Sequence, residues 1–510
     1  MNAPFPFLPA PDPLAFQAGA QPDKIALADL TSGRRYSYAE LDRAVNRCAT
    51  WLAGRLGNAI VGQRIAVLGR NDAAMPILHL AAARSGAIFV PLNWRLTVPE
   101  LAFQVADADP ALLLAQEEFL DTAKAAADGR ERTAVLPLAA AEAAWLTMQD
   151  TRPPAQPADR PSTLLYTSGT SGRPKGALLT ESNLFFTTVN FSLMNHVTAA
   201  SVLLCDMPLF HVVGLVTMVR TPLTQGGTLL LSRGFDPALT MARLADPALG
   251  ITHYMCVPQM AQTLRQHPGY DPAPLRRMTA LCTGGAPMPA ALIGRFSEEQ
   301  ITIADGYGMS EAGTVLGMPV GDRARILAKA GSAGLPGPTL RLRLVDDDGQ
   351  DVPDGAVGEL WISGPNLSPG YWNRPELPTL AEQGGWLRTG DAARRDGDGF
   401  YYLVDRKKDM FISGGENVYP AEVEAAILEL PAIAEAAVIG MPDPRWGEVG
   451  WAYIVPAAGQ VVTEQQIMAH LDGRIARYKR PQRVVITDGL PRTGSGKVQK
   501  HLLRQQAASD

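Results

Sequence analysis

The chain has 510 residues, 46% of them hydrophobic and 19% charged, with a formal net charge of -5. That length exceeds one compact core, so two or more domains are expected, with the composition of an ordinary globular enzyme. The charge leaves no footprint for nucleic acid or anionic lipid, and no apolar run is long enough to span a bilayer as a transmembrane segment.

Residues 1–13 are rich in proline and lack a basic-then-apolar leader, so a cytoplasmic location is expected. Ser37-Tyr-Ala-Glu40 fits a capping box, and Leu41, Ala44, Val45, Cys48 and Leu52 follow at helical spacing. Residues 64–68 read as a strand, 74–84 as a helix and 86–91 as a second strand. Such alternation predicts an α/β sheet with parallel strands. Residues 150–162 carry four prolines and no apolar period, which marks an exposed connection between subdomains. Leu164-Leu-Tyr166 then reads as a short buried strand. Strand-helix alternation continues to about residue 320. Residues 340–362, with turns at Asp346-Asp-Asp-Gly349 and Pro353-Asp-Gly355, read as a local antiparallel region.

A turn at Asp396-Gly-Asp-Gly399 and a strand over 400–404 precede Asp405-Arg-Lys-Lys-Asp409, where a domain boundary is expected. Beyond it, Pro420 opens a helix to 430, residues 436–441 and 449–455 are strands, and Thr463 with Gln466 caps another helix. The expected fold is therefore α/β. Residues 1–404 form a large N-terminal domain of layered α/β subdomains, and residues 405–510 a small α+β C-terminal domain. The four cysteines (Cys48, Cys205, Cys256, Cys282) are scattered in apolar surroundings without metal-ligand spacing, as expected of reduced core thiols.

The stretch Tyr166-Thr-Ser-Gly-Thr-Ser-Gly-Arg-Pro-Lys-Gly176 follows the 164–166 strand. Its glycines let backbone N–H groups approach anionic oxygens, its hydroxyls donate further bonds, and Lys175 adds a point charge. It is not a Walker A loop, because Lys175 follows Pro174 and precedes Gly176. The stretch resembles the phosphate loop of the adenylate-forming superfamily of acyl-CoA synthetases, luciferases and peptide-synthetase adenylation domains. Further segments match in the same order: Cys282-Thr-Gly-Gly-Ala-Pro287, Asp305-Gly-Tyr-Gly-Met-Ser-Glu311, Trp386-Leu-Arg-Thr-Gly-Asp391 with Asp405-Arg406, and Pro491-Arg-Thr-Gly-Ser-Gly-Lys497.

The resemblance implies ATP, Mg2+ and coenzyme A as cosubstrates and cofactor. Thr167, Ser168, Gly169, Thr170, Ser171 and Lys175 would hold the phosphates. Gly285, Ala286, Pro287, Asp305, Gly306, Tyr307 and Gly308 would line the adenine, with Ser310 at the α-phosphate. Asp305 departs from the amide or glutamate usual there, which shortens its reach. Asp391 would bind the ribose hydroxyls and Arg406 ribose and phosphate, while Thr167 and Glu311 would face the metal, a hard cation that takes oxygen ligands. Lys497 would bridge the substrate carboxylate and the α-phosphate, offsetting charge in the transition state. Lys408 matches the hinge about which the small, mobile domain turns between two poses. Ser413, Gly414 and Gly415, with Arg445 and Trp446, would contact CoA. Phe210, His211, Val212, Val213, Gly214, Gly284, Gly308 and Met309 would wall a mostly apolar acyl pocket, where His211 either bonds a phenol or gates an apolar tunnel.

The implied reaction is carboxylic acid, ATP and CoA to acyl-CoA, AMP and diphosphate through an acyl-adenylate. Lys497, Lys175, Glu311 and His211 are its expected catalytic groups. The C-terminal segments look most like bacterial fatty-acyl and hydroxycinnamoyl CoA ligases, leaving fatty, hydroxycinnamic and alicyclic acids open. Two competing readings are an adenylating enzyme that loads a carrier protein and a non-catalytic nucleotide-binding scaffold. Pro208-Leu-Phe-His-Val-Val-Gly-Leu215 offers no carboxylate for a substrate ammonium after Asp206, which disfavours an amino-acid substrate. Every charged position of the family pattern is present, which disfavours the scaffold. A homodimer is the default expectation for assembly.

Overall fold

The Ser37 capping box forms: its hydroxyl accepts from the Glu40 amide while the Glu40 carboxylate accepts from the Ser37 amide. The helix it opens, Tyr38–Leu56, buries Leu41, Ala44, Val45, Cys48 and Leu52. The computed structural model describes residues 9–167, 174–286, 288–406, 409–413, 416–492 and 497–509. Strands Arg64–Leu68 and Ile88–Leu92 flank helix Ala74–Ser85 and pair in parallel, as a right-handed crossover requires.

Two large sheets build the N-terminal part. A six-stranded sheet contains Arg64–Leu68, Ile88–Leu92 and Leu112–Ala115, and ends on the antiparallel hairpin Pro161–Thr167 and Lys175–Thr180. A seven-stranded sheet contains His253–Cys256, Ala280–Thr283 and Ile303–Ala304 in parallel. Their interior strands Ile88–Leu92 and Leu112–Ala115 in the first sheet and Ala280–Thr283 in the second are buried throughout, as sheets covered on both faces require. Helices Tyr38–Leu56, Ala74–Ser85 and the segment Val213–Arg220 supply the shared core between them. In the 150–162 stretch six of the thirteen residues are exposed, Ala158 and Ser162 are buried, and its last two residues already belong to strand Pro161–Thr167.

The local antiparallel region is a four-stranded sheet in which Arg341–Val345, Val357–Ser363, Leu387–Arg395 and Tyr401–Arg406 pair in chain order. The C-terminal part is a five-stranded sheet centred on Ile433–Asp443 and Gly447–Pro456, covered by helices Pro420–Leu428, Glu464–Leu471 and Lys500–Ser509. Its two apolar clusters use buried residues from Phe411 onward, and buried residues up to Tyr401 make up the others. No helix among the described residues is long and apolar enough to cross a membrane. All four cysteines are free and buried.

Candidate active site

Thr167 and Lys175 are cross-strand partners at the end of the antiparallel pair Pro161–Thr167 and Lys175–Thr180. Ser168, Gly169, Thr170 and Ser171 lie outside the described residues. The Lys175 ammonium stands 5.8 Å from the centroid of the Tyr371 ring. The Tyr371 hydroxyl donates to Glu311 Oε1 at 2.8 Å. Tyr371 reaches this position because Ala177 pairs with it, while the Trp372 amide donates to the Gly176 carbonyl at 2.8 Å and the Leu178 amide to that of Gly370 at 3.0 Å.

Glu311 is buried at 8% exposure, and Tyr371 is its carboxylate's hydrogen-bond donor among the described residues. The described residues hold no cluster of three or more His, Cys, Asp or Glu side chains suited to a metal. One buried carboxylate with an oxygen to spare, beside a phosphate-type loop, fits Mg2+, which keeps several waters and takes one or two carboxylates plus substrate phosphates.

Strand Ala280–Thr283 ends at Gly284 and Gly285, the latter with φ +83 in the left-handed region that favours glycine. A Cβ on Gly308 would lie 2.2 Å from the Gly313 carbonyl oxygen, so close backbone packing alone demands that glycine. Strand Gly306–Met309 carries Tyr307, whose hydroxyl donates to Asp391 Oδ2 at 2.6 Å. Two expected nucleotide residues from different sheets thus touch. Asp391 is buried and pairs across strands with Arg406. Ser310 follows the strand, half-buried, and Ala286 is exposed. Pro287 and the side chain of Arg406 lie outside the described residues.

Asp305 is turned inward. Its carboxylate accepts from Thr283 Oγ1 at 3.0 Å and from the Met288 amide at 3.2 Å, clasping the 283–288 loop to the Gly306 strand. Burial raises this carboxyl to about 7, against the hydrogen bonds that lower it.

Phe210 and His211 lead into Val213–Arg220, an eight-residue π-helix, a winding found frequently at functional sites. Their rings lie 4.7 Å apart. His211 Nε2 is sealed from solvent with no hydrogen-bond partner among the described residues. Burial, then the nearby charges of Lys497 and Arg95, lower this imidazole to about 3, so it is neutral. Lys497, far along the chain and exposed, is thus near enough for its charge to act on His211. Val212 and Val213 pack against the inter-sheet core. A Cβ on Gly214 would lie 2.2 Å from the Pro208 carbonyl oxygen, so this glycine seats the π-helix on the preceding turn. Met309 packs at the edge of the antiparallel core beside Tyr307.

Met255 and Val257 were not singled out from sequence. Met255 Cε would meet a Cβ on Gly284 at 3.2 Å, and Val257 Cγ1 one on Gly285 at 3.7 Å. Their two-residue spacing along the strand His253–Cys256 and its exit was the available signal. Asp206 accepts from Thr240 Oγ1 at 2.6 Å and Tyr254 Oη at 3.2 Å, buried in the second core rather than offered to a substrate ammonium.

In the C-terminal part, Ser413 is buried and pairs with Gly447. Arg445 and Trp446 occupy the adjacent turn, where Asp443 Oδ1 accepts from their amides at 2.9 and 2.8 Å. The Arg445 guanidinium lies 4.8 Å from the Trp446 ring, which is 42% exposed. These three form one rim. Gly414, Gly415 and the expected hinge, Lys408, lie outside the described residues.

The chain matches the AMP-binding enzyme family over residues 14–372 and the AMP-binding enzyme C-terminal domain over residues 422–497. It is 42% identical to a feruloyl-CoA synthase of Amycolatopsis over 476 residues, covering 93% of this chain and 94% of that one. It is 37% identical to an indoleacetate--CoA ligase of Aromatoleum aromaticum, with 96% of each covered. The crystal structure of ATP-bound MatB from Rhodopseudomonas palustris superposes with a TM-score of 0.88 at 31% identity, covering 97% of this chain and 98% of that one. With the hairpin, the Tyr307–Asp391 pair and Lys497 in the order found above, the chain belongs to the AMP-binding enzyme family, the adenylate-forming enzymes.

Proposed function

We propose that the acid this chain activates carries an aromatic ring, in the manner of a hydroxycinnamate. The chain is an AMP-forming acyl-CoA ligase, which joins a fatty or aromatic acid to coenzyme A through an acyl-adenylate, with ATP and Mg2+. The aromatic choice is supported by the 42% and 37% identities to ligases named for feruloyl and indoleacetate groups. It is also supported by the Phe210–His211 ring pair and the apolar Met255 and Val257 beside the Gly284–Gly285 turn.

The observation that carries the mechanism is that the charge of Lys497 acts on the buried His211 imidazole. The acid enters with its carboxylate toward these two groups, so His211 faces the carboxyl end rather than a distal phenol. Its neutral imidazole exchanges one hydrogen bond there without bringing a second positive charge. A carboxylate oxygen attacks the α-phosphorus, the bond to diphosphate breaks, and Lys497 with Lys175 offsets the gathering negative charge. Glu311 and Thr167 would hold Mg2+, which when bound would supply Lewis-acid stabilisation of the phosphate oxygens. Tyr307 and Asp391 hold adenine and ribose, with Arg406 opposite Asp391 on the neighbouring strand.

Residues 405–510 then turn about Lys408 and withdraw Lys497. The thiolate of CoA, guided along Ser413, Gly414 and Gly415 past Arg445 and Trp446, attacks the acyl carbonyl, and AMP leaves. A boundary near 405 is supported by the apolar clusters, whose buried members divide between Tyr401 and Phe411. Diphosphate release with ferulate, 4-coumarate, indole-3-acetate and decanoate tests the choice of acid. The aryl acids are expected to give kcat/KM at least tenfold above decanoate, and decanoate equal to them would overturn it.

A further inference from the structure

Tyr371 belongs to neither the phosphate hairpin nor the 305–311 segment, yet it touches both. Its hydroxyl donates to Glu311 Oε1 at 2.8 Å, and its ring faces the Lys175 ammonium at 5.8 Å. The backbone that carries it is fixed on two sides. Ser368 donates its amide to the Glu311 carbonyl at 2.7 Å, and residues 370–372 pair with the start of strand Lys175–Thr180. Three pieces of chain distant in sequence are therefore locked around one phenol.

We infer that Tyr371 is a positioning residue that aims the Glu311 carboxylate at Mg2+ and steadies Lys175 over the nucleotide phosphates. The inference rests on the proposed roles of Glu311 and Lys175. A buried carboxylate rotates about its last torsion between several acceptor directions. A fixed phenol donor on one oxygen removes that freedom and leaves the other oxygen without a competing donor from Tyr371. The hydroxyl also satisfies one oxygen of a carboxylate that is costly to bury unpaired. The ring adds a second contact, since a cation within about 6 Å of an aromatic face is attracted to it. One side chain thus couples the lysine on one strand to the carboxylate on another segment.

The two contacts separate by substitution. Tyr371→Phe keeps the ring and deletes the hydroxyl, while Tyr371→Leu deletes both. Binding of a fluorescent ATP analogue to the full chain is titrated with Mg2+, and again in EDTA. Tyr371→Phe is expected to raise the Mg2+ concentration for half-maximal binding about tenfold to 160-fold, the range set by one hydrogen bond to a charged group. Its metal-free affinity should stay within twofold of the parent. Tyr371→Leu should show the same Mg2+ shift and in addition weaken metal-free binding. In a Glu311→Gln background, Tyr371→Phe should have no further effect on Mg2+ dependence. Thermal melts of each protein verify folding. Equal weakening with and without metal, or an unchanged Mg2+ midpoint in Tyr371→Phe, overturns the inference. A parent protein whose nucleotide binding ignores Mg2+ would instead sink the proposed metal role of Glu311.

Discussion

Arg220 ends the π-helix that begins beside the acyl corner, and it ends in a buried ion pair. Its Nη1 donates to Glu181 Oε1 at 2.9 Å and its Nη2 to Oε2. The same Oε1 accepts from Ser162 Oγ at 2.6 Å, and Nη1 lies 3.2 Å from His79 Nε2. Side-chain exposure is 8% for Arg220 and 5% for Glu181. Burial, then the Arg220 charge, lowers His79 well below the usual imidazole range, so this ring is a neutral acceptor. Arg220→Met would leave Glu181 buried without its counter-charge, an expected loss of about 3–5 kcal/mol. Replacing both residues, as Arg220→Met with Glu181→Leu, removes the stranded charge. The double variant should lose less than the single one, with a residue of about 1–3 kcal/mol from the unpaired Ser162 and His79 groups. Urea denaturation followed by tryptophan emission reads this, since Trp51 and Trp145 are buried in the same core. The freed end of the π-helix should also raise KM for the acid more than KM for ATP. A single-variant loss under 1 kcal/mol, or a double variant as costly as the single, would refute this account of the pair.

Lys497→Ala should lower acyl-adenylate formation about 100-fold to 1000-fold, the range for removing one preorganised charge-stabilising donor. Thioester formation from supplied acyl-adenylate should stay within severalfold, and equal loss of both half-reactions would contradict the role given to Lys497. Asp305, raised from 3.8 to about 7 by burial, binds a proton in the folded chain that the unfolded chain releases earlier. Stability from this group is therefore full below pH 3.8 and is lost as pH rises to about 7, where the total loss is about 4 kcal/mol at about 1.4 kcal/mol per unit. Denaturation of Asp305→Asn and the parent at pH 4.5 and 8 should show the gap moving in favour of the variant at the higher pH. A gap independent of pH would refute the buried-carboxyl account.

What the sequence made legible was mostly local. The Ser37 box, the period of Leu41 to Leu52 and the Thr463–Gln466 cap need only neighbours within a few residues, and each forms as expected. Strand Arg64–Leu68 was clear because a covered parallel strand is a continuous apolar run. The glycine-rich segments were recognisable as motifs, although Gly214 and Gly308 prove to answer first to neighbouring carbonyls. The remainder depends on pairings between distant segments. Nothing near Tyr371 in the chain announces Glu311 or Lys175, because the register of residue 371 against 177 is set only when the sheet assembles. The π-helix was equally hidden, since Val213–Arg220 has the composition of any buried helix. Asp305 looked like a ligand-facing acid, yet the Met288 amide and the Thr283 hydroxyl, both brought in by the loop after strand Ala280–Thr283, occupy its oxygens.

The four cysteines bear on selectivity of acyl transfer. Cys282 stands two residues before Gly284, yet its Sγ is turned away to Asn195 Oδ1 at 2.9 Å, and burial pushes the thiol up to about 12. Cys48, Cys205 and Cys256 are equally enclosed, with burial raising each. A mixed anhydride acylates sulfur readily when the sulfur is ionised and within reach. This protein presents none of its own in that form, so the activated acyl group meets a single soft nucleophile, the one that arrives with the cosubstrate. Self-acylation and disulfide capture of the incoming thiol are both closed off by the same burial.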